Sequence, residues 1–152
     1  PKRYGGNIRI ILGNNKYRNS KNIEKNLLSE KKKINQLKKI FINKYLLWRK
    51  NILKKIKTLN KNYGPILGKS YPARASLIIN LLNLTSKNIS KIYEKPGSKK
   101  IGYFVPGTDI KITSDNYLPK SIPIINFSWH ISKEIKNYLR KNKFKEKIID
   151  II

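Results

Sequence analysis

The chain has 152 residues, 39% of them hydrophobic, and neither cysteine nor methionine; it is long enough to bury one core without disulfides and too apolar to be a disordered tail. Its 35 Lys+Arg against 8 Asp+Glu give a formal net charge of +27, which puts nucleic acid high among the partners to weigh. The charge is a diluted signal, because 29 Lys, 26 Ile and 18 Asn fill almost half of the chain against six Arg and two Ala, a composition expected of AT-rich coding, in which lysine gathers on solvated faces whether or not anything binds there.

A Gly pair and β-branched run from Tyr4 to Leu12, closed by Gly13-Asn14-Asn15, predict a first strand. A helical pattern begins near Asn22, with Ser20 or Asn22 as N-cap, Glu24 in the first turn, and a break expected at Lys31-Lys32-Lys33. Beyond it Ile34, Leu37, Phe41, Tyr45, Trp48, Ile52, Ile56 and Leu59 recur at spacings of three and four, a helical stripe of about seven turns that Gly64-Pro65 ends.

The period then changes. Pro65 to Tyr71, Ile89 to Glu94, Ile110 to Ile112, Ile122 to Trp129 and Lys147 to Ile152 read as extended, with helices over Ala73 to Leu84 and His130 to Asn142. Such alternation predicts an α/β domain with a mostly parallel sheet covered on both faces. The expected organisation is a strand and long helical segment over 1–62, leading into an α/β core over 63–152.

No stretch reaches the roughly 18 to 20 apolar residues of a membrane span, and the start lacks the layout of a secretory signal, so a soluble, cytoplasmic protein without membrane contact is expected. One His and no Cys leave no metal cluster to build in this chain, nor a Ser-His-Asp or Cys-His set. A first residue other than Met, within strand-like sequence, points to a piece of a longer protein.

Two strand-to-helix junctions could carry a ligand. Gly68, Ser70, Tyr71, Arg74 and Ser76 span the first, where backbone N–H groups and a helix dipole can receive a phosphate or carboxylate and Arg74 can add an ionic contact. The alternative is that small residues there only allow tight packing and Arg74 is solvated. The spacing matches neither a Walker loop nor a dinucleotide fingerprint. Trp129 and His130 end the fourth extended segment, where an open α/β sheet places its ligands; alternatively His130 caps the helix and Trp129 fills core. The turn Pro106-Gly107-Thr108 could hold a ligand beside the same edge, or be only a turn. Basic residues interleaved with Tyr45, Trp48, Tyr63 and Tyr93 are the ingredients of nucleic-acid stacking, although Tyr45 and Trp48 also lie on the apolar stripe.

Taken in order, Tyr4-Gly5-Gly6-Asn7-Ile8-Arg9, the long helix ending in Gly64, Pro72-Ala73-Arg74-Ala75-Ser76-Leu77-Ile78-Ile79-Asn80, Gly102 to Thr108 and Ser128-Trp129-His130-Ile131 through Glu134-Ile135 resemble the C-terminal domain of sugar-nucleotide C-methyltransferases. The resemblance spans nearly the whole chain. It implies a Rossmann-like three-layer domain, part of an enzyme that also has a Cys-rich zinc domain and a central domain holding S-adenosylmethionine and the acid/base residues. No catalytic residue is therefore carried over to this chain, and no cofactor is expected within it. The implied role is to shape a nucleotide-linked sugar pocket, with Arg74, Ser76 and Pro106-Gly107-Thr108 as contacts. Members often carry a second Gly near Ser70, a small residue at Tyr71 and Asn at His130, so the substrate is left open. Two other readings stand beside it: a basic nucleic-acid-binding domain, disfavoured by only six Arg, and a stand-alone, non-catalytic sugar-nucleotide-binding domain.

Overall fold

The computed structural model describes residues 20–152; the strand expected over Tyr4 to Leu12 lies outside them. The chain divides into two compact units, residues 1–42 and 43–152.

Helix α1 runs without a break from Ser20 to Tyr63. The interruption expected at Lys31-Lys32-Lys33 does not occur, because lysine is a good helix former and these three are exposed, so their charges are solvated. The helix also starts early enough to leave Glu24 outside the first turn. Gly64 ends it with φ of +71°, its N–H donating to Asn60 O at 3.0 Å, in the left-handed conformation that glycine adopts without a Cβ penalty.

In the second unit follow β1 (Ile66–Lys69), α2 (Ala75–Leu81), β2 (Ile89–Glu94), β3 (Lys111–Ser114), β4 (Ile124–Asn126), α3 (Ser132–Lys141) and β5 (Ile148–Asp150). The five strands form one sheet in the order β3-β2-β1-β4-β5, every neighbouring pair parallel. This is the α/β, Rossmann-like arrangement the alternating pattern and the resemblance imply. Strand β2 carries one extra residue against β1 between the pairs Ile66–Ile89 and Gly68–Ile92, a bulge that bends it locally.

Alternation along the strands divides the core into two faces. Ile66, Ile92, Ile125 and Phe127 pack with Ile56 and Leu59 of α1 and with Ala75, Ile78 and Ile79 of α2. Leu67, Tyr93 and Ile124 pack with Ile135 and Leu139 of α3 and with Phe144. Helices thus cover both faces, and β1, buried at all four positions, has the near-continuous apolar character of a central parallel strand. Between β2 and β3 no helix intervenes; Val105 and Ile110 of the connecting hairpin fill that part of the first face.

The C-terminal half of α1 is fastened by long-range hydrogen bonds. Trp48 Nε1 donates to Ile151 O at 2.9 Å, and Arg49 Nε to Leu81 O at 3.3 Å. Trp48 packs against the core and Tyr93 is 4% exposed, so neither ring is free to stack on a base.

Candidate functional site

The strand order reverses direction at β1 and β4. From β1 the chain steps outward to β2 and β3; from β4 it steps the other way to β5. Connections leaving the carboxyl ends of β1 and β4 therefore diverge, and a crevice opens between them where open α/β sheets receive ligands.

Ser70 is the first residue past β1 and has φ of +65°, a left-handed backbone that costs a non-glycine residue about 1–2 kcal/mol. Its N–H donates to Tyr93 O at 2.9 Å. Tyr71 is held from two sides: its N–H donates to Glu94 Oε1 at 2.5 Å, and its carbonyl accepts from Lys100 Nζ at 2.6 Å. The Lys100 ammonium also lies 5.8 Å from the Tyr71 ring centre. Arg74 follows at the surface, its guanidinium carbon 5.9 Å from the Trp129 ring. Trp129 meets His130 edge to face, at 5.8 Å between ring centres. The structure thus brings Ser70, Tyr71, Arg74, Trp129 and His130 to one edge.

Helix α2 has only seven residues and its N-cap Arg74 makes no side-chain capping bond, so the charge at this edge comes from side chains rather than from a long helix dipole. Nor does His130 cap α3. It lies inside a 3₁₀ turn, Trp129–Ile131, and α3 starts at Ser132 after Ile131. That turn is placed by Asn126, which is fully buried: its Oδ1 accepts from Ser128 N at 2.9 Å and its Nδ2 donates to Asp150 Oδ1 at 2.8 Å. Burial pushes the Asp150 carboxyl up, but hydrogen bonds from Lys136, Asn126 and Ser132 outweigh it and hold the group below the usual carboxylate range.

The other residues singled out in the sequence are placed differently. Gly68 is buried within β1, where an added Cβ would stand 2.7 Å from Ile92 Cγ1 and 3.1 Å from Phe127 Cε2; its smallness serves sheet packing. Ser76 Oγ donates back to Ala73 O at 3.1 Å. Pro106, Gly107 and Thr108 are not brought to the carboxyl edge at all. Pro106 O accepts from Asn80 Nδ2 at 3.1 Å, and the adjoining Asp109 takes the N–H of Ser86 at 2.8 Å. Asp109 and Ser86 precede the starts of β3 and β2, so this turn sits at the amino edge of the sheet.

Beneath the carboxyl edge lies a network that the sequence reading missed. Lys69, the last residue of β1, is 1% exposed and pairs with Asp115 Oδ2, on a side chain 7% exposed. Tyr138 of α3 donates its hydroxyl to the same oxygen at 2.9 Å, and the Lys69 ammonium stands 4.9 Å from its ring centre. Burial, then the adjacent Asp115 carboxylate, pushes the Tyr138 hydroxyl up to about 12. Lys95 approaches the same ring at 5.0 Å. The edge as a whole is cationic, with Arg74, Lys95 and Lys100 exposed around the half-buried Glu94. The larger grooves lie elsewhere; one of about 570 Å³, lined by Lys54, Thr58, Lys147 and Ile149, runs between α1 and β5.

Among the described residues no three His, Cys, Asp or Glu side chains converge on a possible metal position, and no helix is long and apolar enough to cross a membrane.

The fold is a Rossmann-like α/β domain with a crevice at the carboxyl edge of its sheet. The C-methyltransferase C-terminal domain family matches residues 2–149, and the chain belongs to that family. No curated protein and no solved structure matches it.

Proposed function

We propose that this chain is the substrate-side domain of an S-adenosylmethionine-dependent C-methyltransferase acting on a nucleotide-linked sugar in the cytoplasm, and that the substrate lies across the carboxyl edge at Ser70–Arg74 and Trp129–His130. The observation that carries the reading is the meeting of Arg74 with Trp129 over the diverging β1 and β4 connections. A guanidinium suits a diphosphate as a bidentate donor, while an adjacent aromatic face suits a nucleobase or sugar ring. Tyr71, clamped by Glu94 and Lys100, narrows the crevice with a rigid wall.

The residues here do not fit the methyl donor itself. Its sulfonium would meet the cationic Arg74, Lys95 and Lys100, and the loop after β1 opens with Ser70 and Tyr71 rather than glycines. The donor, which supplies an electrophilic methyl group when bound, and the base that takes the sugar carbon's proton belong on this reading to the rest of the enzyme. What this chain contributes is a fixed approach of the sugar carbon, a large share of the barrier in a bimolecular transfer.

Calorimetric titration with a panel of nucleoside-diphosphate sugars at about 0.15 M salt, where the Debye length is near 8 Å, tests the reading. Arg74→Ala is expected to weaken the best ligand at least tenfold, and Arg74→Lys to restore only part of it. Unchanged affinity in Arg74→Ala would remove this placement of the substrate.

A further inference from the structure

Only 8 acidic residues stand in this chain against 35 basic ones, and those at the carboxyl ends of the strands differ in what holds them. Asp115 and Asp150 each bind a lysine in an ion pair. Glu94, the last residue of β2, pairs with no cation among the described residues, although Lys95 follows it and Lys100 reaches the Tyr71 carbonyl beside it. Its Oε1 is anchored by the N–H of Tyr71 at 2.5 Å. Its Oε2 accepts no hydrogen bond from the described residues and is open to solvent rather than buried.

An ionised carboxylate has about four acceptor sites and no donor, and the Tyr71 amide uses one while fixing the position of the rest. The surroundings narrow what can fill them. Phosphate oxygens are repelled by the carboxylate, and an ammonium or guanidinium group is disfavoured by the cationic Arg74, Lys95 and Lys100 around it. Neutral donors remain. On a molecule whose diphosphate sits at Arg74, the neutral donors next to the phosphates are sugar hydroxyls.

Topology says which sugar. In the β1–β2 register Tyr93 stands opposite Lys69, so Glu94 adjoins the loop Ser70–Arg74 on the side away from β4. The Pro72–Ala75 turn, closed by the Ala75 N–H donating to Pro72 O at 2.8 Å, keeps Arg74 within about 11 Å of Tyr71 along the chain. A ligand with its diphosphate at Arg74 thus has one end over β2, at Glu94, and the other over β4, at Trp129. In parallel sheets of this strand order, the acid that ends β2 is placed to accept the hydroxyls of a nucleotide's pentose.

We infer that Glu94 is a specificity-determining residue that accepts the pentose hydroxyls of a nucleoside diphosphate, so that the nucleoside lies over β2 and the sugar to be methylated faces Trp129 and His130. The inference rests on the substrate placement proposed above and adds the direction in which the ligand lies.

The test titrates the chain with UDP and with 2′,3′-dideoxy-UDP at about 0.15 M salt, and repeats both with the guanosine pair so that base preference does not decide the result. Wild type is expected to bind UDP at least about tenfold more tightly than the dideoxy compound, the size of one or two hydrogen bonds to a charged acceptor. Glu94→Gln keeps an oxygen for the Tyr71 N–H but removes the charge. It should shrink the gap to about threefold or less and bind the dideoxy compound as tightly as wild type or more so, since a repulsion with the diphosphate is gone; Glu94→Asp, which keeps the charge, should retain part of the gap. A carboxylate that only capped the loop would move both ligands equally. Equal binding of the two compounds by wild type, with Arg74→Ala still weakening both, would overturn the role of Glu94 and leave the placement standing. A gap that persists in Glu94→Gln would overturn it as well. Binding of neither pair, or binding indifferent to Arg74→Ala, would remove placement and inference together.

Discussion

Lys69 and Asp115 form an ion pair withdrawn from water at the base of the carboxyl edge, with side chains 1% and 7% exposed. The pair joins the end of β1 to the turn after β3, and Tyr138 ties both to α3. Since the carbonyl of Lys69 also accepts from Phe127 N at 3.0 Å, the network fixes the ends of β1 and β4 from which the two loops of the carboxyl edge leave. Removing one partner leaves the other charge buried and unpaired, at a cost of about 3–5 kcal/mol, whereas replacing both by apolar groups is often close to neutral. Asp115→Asn should therefore unfold at much lower urea than wild type, and Lys69→Met with Asp115→Leu should recover most of the loss. A single variant as stable as wild type would show that the pair does not hold the edge.

The Tyr138 hydroxyl is held up to about 12, against 10.0 for an ordinary tyrosine. The folded state keeps the proton to higher pH than the unfolded state does, so the stability it contributes is present below pH 10 and is lost as pH rises toward 12. Urea unfolding across this window should show a steeper decline for wild type than for Tyr138→Phe. Parallel declines would contradict the position of Tyr138 against Asp115.

Two positions near the end of β1, Gly68 within the strand and Ser70 just past it, both favour glycine, for different reasons. At Gly68 a Cβ would stand 2.7 Å from Ile92 Cγ1, and Gly68→Ala should destabilise by about 1–3 kcal/mol through overpacking. Two residues on, the left-handed Ser70 should gain up to about 1 kcal/mol from Ser70→Gly, less what glycine adds to the entropy of the unfolded chain. Chemical denaturation of both variants checks the two signs together; destabilisation by Ser70→Gly would mean that the serine side chain contributes more than its backbone strain.

Ser70 also shows how much was legible in the sequence. The resemblance implied a frequent second glycine near it, and its left-handed backbone is one that glycine adopts without strain. The strand over Ile89–Glu94, the helix end at Gly64 and the parallel α/β order followed from period and turn chemistry, because those are local signals. Edge placement was not local. Pro106-Gly107-Thr108 reads correctly as a turn, but only the antiparallel pairing of Phe104 with Lys111 returns that hairpin to the amino edge. Lys69 and Asp115 are 46 residues apart, and one lysine among 29 announces nothing. Likewise, the α1 stripe has the same period where it is buried at Ile56 and exposed at Phe41, because periodicity describes a face and not what covers it.

The most direct measurement of where this domain binds is an amide-shift map by NMR, with the chain titrated by the nucleotide-linked sugar that binds best at about 0.15 M salt. The account predicts perturbations concentrated at Ser70, Tyr71, Arg74, Trp129 and His130, with Gly107 and Thr108 unmoved. Perturbations centred on Gly107 and Thr108, or spread over the exposed lysines without a centre, would contradict it.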